Sequence, residues 1–266
     1  MRPLLALLAL LSLSTALARV SVLSALSETY TTAAGQTVTG KLLLGNDDDA
    51  PAQARLYRTD YLFQAGGEVS YGTPGSHPRS NGAWIELGAE IVSVPPKGEL
   101  EVPYTIRVPA GATLPGSYWS LIMVEPLQAD DPLAAKVTQQ GLSIRQVVRY
   151  GVQVLTELGS AGRRSIGFQN PALAQRAPGQ FGLQVDLLND GERYLRPAVY
   201  AEVYDAAGAQ VGRVEGAQGR LYPGTSARQH FALPALSAGD YQVVVVADGG
   251  EGSVFGVRYA LNVPKN

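Results

Sequence analysis

Glu99-Leu100-Glu101-Val102-Pro103-Tyr104-Thr105-Ile106-Arg107-Val108 is the stretch from which the fold is read. Val102, Tyr104, Ile106 and Val108 fall on one side of an extended chain, and Glu101, Thr105 and Arg107 fall on the other. That period of two belongs to a strand with one face in a core and one in water. Pro109, which lacks a main-chain donor, ends it.

Similar runs lie on both sides, separated by Gly, Pro, Asn and Asp clusters, and no long stretch carries helical periodicity. Strands are expected near Val20–Leu26, Gln36–Leu44, Gln53–Phe63, Trp84–Val92, Ser117–Val124 and Leu142–Leu158. After the break Gly159-Ser160-Ala161-Gly162-Arg163-Arg164 the pattern restarts. The second set is Ser165–Gln169, Gln180–Leu188, Ala198–Tyr204, Gln210–Val214, Ala227–Leu233, Tyr241–Ala247 and Ser253–Val263. Each set is enough for one sandwich, so the expected fold class is all-β, with two tandem immunoglobulin-like β-sandwiches. The expected domains are residues 19–158 and 165–266, joined by a linker at 159–164.

An internal echo supports the duplication. Leu44-Gly45-Asn46-Asp47-Asp48 is matched by Leu188-Asn189-Asp190-Gly191, both suited to a turn between strands. Val108-Pro109, Gly116-Ser117-Tyr118 and Leu121–Val124 are matched by Leu233-Pro234, Gly239-Asp240-Tyr241 and Val243–Val246. A tyrosine after the turn that opens a late strand suits either a tyrosine corner, its hydroxyl bonded back to the loop, or a plain core aromatic. Trp84 and Trp119 are expected as core fillers of the first sandwich.

Arg2, the apolar run Leu4–Leu13 and Ala16-Leu17-Ala18 form the charged, apolar and small-residue parts of an export signal, read as residues 1–18. The apolar run is shorter than the ~20 residues that a bilayer span needs. Cleavage removes one of the 21 basic residues, leaving 20 against 23 acidic and a net charge of −3. That weak charge, without a basic stripe, excludes a nucleic-acid partner. The chain has no cysteine, so disulfides, thiolate metal sites and a lipoprotein anchor are excluded. The expected location is periplasmic or extracellular.

No catalytic residue, metal site or cofactor is expected. Gly35–Lys41 has the outline of a phosphate-binding loop, but Leu42 stands where a magnesium-binding hydroxyl belongs and the residues alternate as in a strand. His77 and His230 are the two histidines, and Ser76-His77 lacks a nucleophile-elbow pattern. Asp47, Asp48 and Asp49, with Asp60, are weighed as a weak calcium site and read as an acidic turn, as are Asp130 and Asp131.

Protein binding is the remaining class. Leu142–Leu158 exceeds an ordinary strand, with Leu142, Ile144, Val148, Tyr150, Val152 and Val154 on one face. Its other face carries the candidate partner-binding residues Arg145, Val147, Arg149, Gln153 and Leu155. An edge strand there offers main-chain pairing to a partner; the alternative is a strand sealed inside its sheet.

Val92-Ser93-Val94-Pro95-Pro96, Val108-Pro109 and Gly116-Ser117-Tyr118-Trp119, with the paired sandwiches and the export segment, resemble the bacterial periplasmic pilus-assembly chaperones. The pattern is also similar to envelope proteins that accompany WxL-domain surface proteins. The first resemblance implies that the last strand of the first domain, here Leu142–Leu158, is donated to an incomplete pilin-like subunit. It also implies that basic residues in the cleft between domains hold the subunit's terminal carboxylate, with Arg145 and Arg149 in that role. The other reading is a structural or adhesive envelope module without chaperone activity.

Overall fold

The computed structural model describes residues 20–127, 148–177 and 179–265. In chain order the first ten strands are β1 (Val20–Val22), β2 (Ser27–Thr32), β3 (Thr37–Asn46), β4 (Ala52–Phe63), β5 (Val69–Gly72), β6 (Ile85–Leu87), β7 (Ile91–Val94), β8 (Gly98–Arg107), β9 (Gly116–Leu127) and β10 (Tyr150–Leu158). Seven follow: β11 (Gly167–Ala177), β12 (Gln180–Leu188), β13 (Ala198–Asp205), β14 (Gln210–Glu215), β15 (Ser226–Ala232), β16 (Gly239–Asp248) and β17 (Val254–Val263). The chain is all-β, in two sandwiches.

The first sandwich packs the sheet β1-β3-β8-β6 on the sheet β2-β10-β9-β4-β5, with β7 also paired to β4. Its interior is filled from both sheets. Val102, Tyr104 and Ile106 of β8, read as one face from the sequence, meet Leu56, Ile122, Val152 and Val154. The stretch 20–32 serves both sheets, because β1 pairs antiparallel with β3 and β2 then crosses over to pair parallel with β10. Trp84–Val92 is not the single strand expected. Gly82–Trp84 forms a short 3-10 turn, β6 joins β8 in one sheet, and β7 joins β4 in the other.

The second sandwich packs β11-β12-β15 on β14-β13-β16-β17, around Val185, Leu187, Val203, Phe231 and Val245. The internal echo is a repeat of hydrogen bonds. Asn46 Oδ1 accepts from Asp48 N at 3.0 Å while its Nδ2 donates to Ala50 O at 2.9 Å. Asn189 Oδ1 accepts from Gly191 N at 2.9 Å while its Nδ2 donates to Arg193 O at 2.8 Å. Both amides are buried and also tie to a facing strand or loop, through Val94 O and Leu221 O. Two tyrosine corners complete the repeat. Tyr118 donates its hydroxyl to Leu114 O at 3.0 Å, and Tyr241 donates to Ser237 O at 3.1 Å. Each ties the start of a late strand to its preceding loop.

Among the described residues, no helix is long and apolar enough to cross a membrane.

Candidate functional site

The strand β10 leads from the outer end of the first sandwich to the junction with the second. On one side its whole length pairs with β9, from Tyr150↔Val124 to Leu158↔Gly116. On the other side β2 covers only Gln153–Leu158, in parallel register from Gln153↔Ser27 to Leu158↔Thr32. The Gln153 N–H donates to Leu26 O at 2.9 Å. Main-chain groups two residues apart on a strand point the same way, so those of Gly151 face the same side as Gln153, where β2 no longer runs. Exposed Leu26 and Val148 flank this opening.

The expected partner-binding residues are therefore divided. Arg145 and Val147, with Leu142–Ile144 of the expected strand, lie outside the described residues. Arg149 is exposed beside the opening, with Nη2 3.1 Å from Glu125 Oε1, so its guanidinium already has a carboxylate. Gln153 and Leu155 are not on an open edge, because β2 and β9 flank both. Leu155 is 3% exposed and packs with Trp119 and Tyr222 between the sandwiches. Gln153 Oε1 accepts from Arg220 Nη1 at 2.6 Å and from the Tyr222 hydroxyl at 2.9 Å. Burial pushes the Tyr222 phenol up, so it stays a donor.

Trp119 departs from its expected role as a core filler. It is nearly fully buried, but its burial comes from stacking on Tyr222, with ring centroids 4.9 Å apart at 15°. Its other neighbour is His77, at 4.6 Å. Trp84 does pack on the first core, half-buried against Tyr118.

Polar contacts continue the junction. Ser117 Oγ donates to Glu157 Oε1 at 2.6 Å and accepts from Tyr194 N at 2.6 Å. Arg193 Nη2 lies 2.9 Å from Glu157 Oε2, with both side chains largely buried. That contact is ionic and lacks hydrogen-bond alignment. Gly116 permits the approach: a Cβ there would stand 2.1 Å from Glu192 O. At the other flank, Ser226 Oγ donates to Gln64 Oε1 at 2.6 Å and accepts from Ala65 N at 2.9 Å.

Sequence reading missed Arg220, Tyr222 and Arg193. They sit in or beside turns, where no periodicity reports the direction of a side chain. Among the described residues no carboxylate lies within ion-pair distance of Arg220, whose Nη1 donates to Gln153 Oε1.

The other polar loops are internally bonded. Asp60 accepts from Ser76 N at 2.7 Å, Ser76 Oγ at 2.9 Å and Ser80 Oγ at 2.5 Å. His77 Nδ1 accepts from Arg79 N at 3.3 Å, so the imidazole does not receive a proton from Ser76. Asp60 therefore does not join Asp47–Asp49, and Lys97 reaches both Asp47 O, at 2.6 Å, and Asp49 Oδ1, at 3.4 Å. Among the described residues, no cluster of three His, Asp or Glu could hold a metal ion.

No family model matches this chain, and neither does any curated protein. Solved structures do. A chain of a chaperone–tip adhesin complex in CFA/I fimbriae biogenesis matches with a TM-score of 0.50 and 12% identity, over 92% of this chain and 99% of that one. The class 5 fimbriae chaperone CfaA matches with a TM-score of 0.48 and 12% identity, over 92% and 100%. A chain of the CsuC–CsuE pre-assembly complex of Acinetobacter baumannii Csu pili matches with a TM-score of 0.47 and 11% identity, over 90% and 97%. At such identities the likeness is one of fold, and the first match carries it: two sandwiches in tandem, spanning nearly the whole of both chains.

Proposed function

We propose that this protein is an assembly chaperone of the bacterial envelope, exported after loss of residues 1–18, that holds a partner by β-strand addition. The observation that carries this reading is the half-paired start of β10, where β9 covers one side and β2 stops at Gln153. A strand entering beside Gly151 continues the line of β2 and takes up the main-chain groups that β2 does not reach. Leu26 and Val148 supply apolar contact next to it. Arg220, held by Gln153 at the inner end of that line, is the group suited to a chain-terminal carboxylate, because a guanidinium presents paired donors. The partner is then a pilin-like subunit whose sandwich lacks a strand. The first structural neighbour, a chain of a chaperone–tip adhesin complex, supports the same reading.

The test separates main chain from side chain at Arg149. Arg149→Ala keeps the backbone donor and should leave capture of a pilin-like subunit from the same gene neighbourhood almost unchanged. Arg149→Pro removes a donor ahead of the β9 ladder and should weaken capture about tenfold, the size of one lost hydrogen bond plus an unmet acceptor. Equal binding by both variants removes strand addition at this edge and favours an envelope module that works by its side-chain surface. Arg220→Gln should weaken a subunit ending in a free carboxylate and leave its carboxyl-amidated form unaffected.

A further inference from the structure

Of the two histidines in the chain, His77 occupies the junction between the sandwiches. Its ring packs on Trp119, whose indole is also stacked on Tyr222 of the second sandwich. Nδ1 accepts the Arg79 N–H, so a neutral ring carries its proton on Nε2, which is sealed from solvent without a hydrogen-bond partner among the described residues. Arg79 is itself a strut. Its carbonyl accepts from Trp119 N at 3.0 Å, its Nη1 donates to Pro115 O at 2.8 Å, and its Nη2 lies 3.7 Å from Glu192 Oε1 of the second sandwich.

We propose that His77 makes the joint between the two sandwiches sensitive to acid. A second proton must go to Nδ1, where it meets the Arg79 N–H donor to donor. The ring then has to leave that contact, and the 77–80 loop loosens from Trp119 and from Glu192. The charged groups around the imidazole come from several elements. Asp60 of β4 favours the cation, but three hydrogen bonds from Ser76 and Ser80 already engage it. Arg79 disfavours it. From the second sandwich, Asp190 lines the same 520 Å³ hollow and is paired with Arg163, while Glu192 faces Arg79 and the Tyr222 phenol stays neutral across Trp119. Burial outweighs Asp60 and holds the imidazole below its ordinary 6.5. The unfolded chain therefore binds this proton more tightly than the folded one. The junction is at full strength above the ordinary imidazole range and loses stability as pH falls through it.

With two histidines in the chain, the wild-type protein reports directly. Imidazole NMR titration gives the His77 midpoint, and hydrogen exchange follows the Trp119 amide, which donates to Arg79 O, and the Tyr194 amide, which donates to Ser117 Oγ. His77 is expected to titrate below 6.5. Relative to intrinsic rates, both amides should exchange about tenfold faster near pH 5 than near pH 7.5, along the His77 curve. His77→Phe keeps a ring on Trp119 and should abolish the change. A His77 midpoint at or above the ordinary value overturns the proposal. So does acid loosening that persists in His77→Phe. If that variant does not fold, loosening of the wild type that follows carboxylate rather than His77 resonances has the same force.

Discussion

At the scale of single residues, the buried amides Asn46 and Asn189 do the same work in each sandwich. Each closes a turn with one hydrogen bond in and one out, then ties that turn to a neighbouring carbonyl. Alanine at either position leaves those carbonyls and an amide N–H unmet in the interior. Asn46→Ala and Asn189→Ala should each cost about 2 to 4 kcal/mol in urea unfolding, with the slope against urea unchanged. Asp186 provides a contrast to His77. The Arg228 guanidinium, bonded at 2.7 and 2.9 Å, holds its carboxyl below the ordinary 3.8. The folded form thus favours the carboxylate. That contribution is complete above the ordinary carboxylate range and is lost as pH falls through the lowered value, so acid unfolding of Arg228→Ala should begin at a higher pH than in the wild type.

At the scale of the element, β10 has two regimes. Gln153–Leu158 is flanked by β2 and β9, whereas among the described residues Tyr150–Val152 pairs with β9 alone. Amide exchange in the free protein should divide at that point, with Leu155 and Glu157 protected and Gly151 fast, because the Gly151 N–H faces the open side. A captured partner should add protection at Gly151 and leave Leu155 as it was. Added protection at Leu155 alone would mean that ligand binding tightens the junction between sandwiches rather than extending the sheet. The alternation of β10 was readable in advance: Val152 and Val154 enter the core and Leu155 leaves by the opposite face. Its pairing with β2 was not, because that partner lies more than a hundred residues away in the chain.

At the scale of the whole molecule, the two sandwiches meet through a small aromatic centre rimmed by charges. Trp119, Leu155 and Tyr222 form the centre, and Arg193–Glu157 and Arg79–Glu192 lie at its edge. Tyr222→Ala removes the ring stacked on Trp119 and the hydroxyl that steadies Gln153. Each sandwich keeps its own core, so the variant should remain folded while small-angle scattering shows a broader distribution of shapes. Proteolysis should accelerate at residues 159–164, the linker expected from the sequence. An unchanged scattering profile would show that the polar rim suffices to hold the joint.

Period-two alternation, the turn clusters and the repeated Asn and Gly-x-Tyr patterns determined that this chain makes strands, that the strands form two sandwiches, and which faces of β8 and β10 enter a core. These are local properties, set by the extended backbone and by the need of apolar side chains to leave water. The tertiary structure alone decided that 20–32 serves two sheets, that Trp119 is covered by the second sandwich, and that Arg220 and Tyr222 of that sandwich reach Gln153 of β10. Those outcomes depend on which surfaces meet after both cores have formed. A turn residue such as Arg220 or Tyr222 carries no periodic mark of where that meeting will take place.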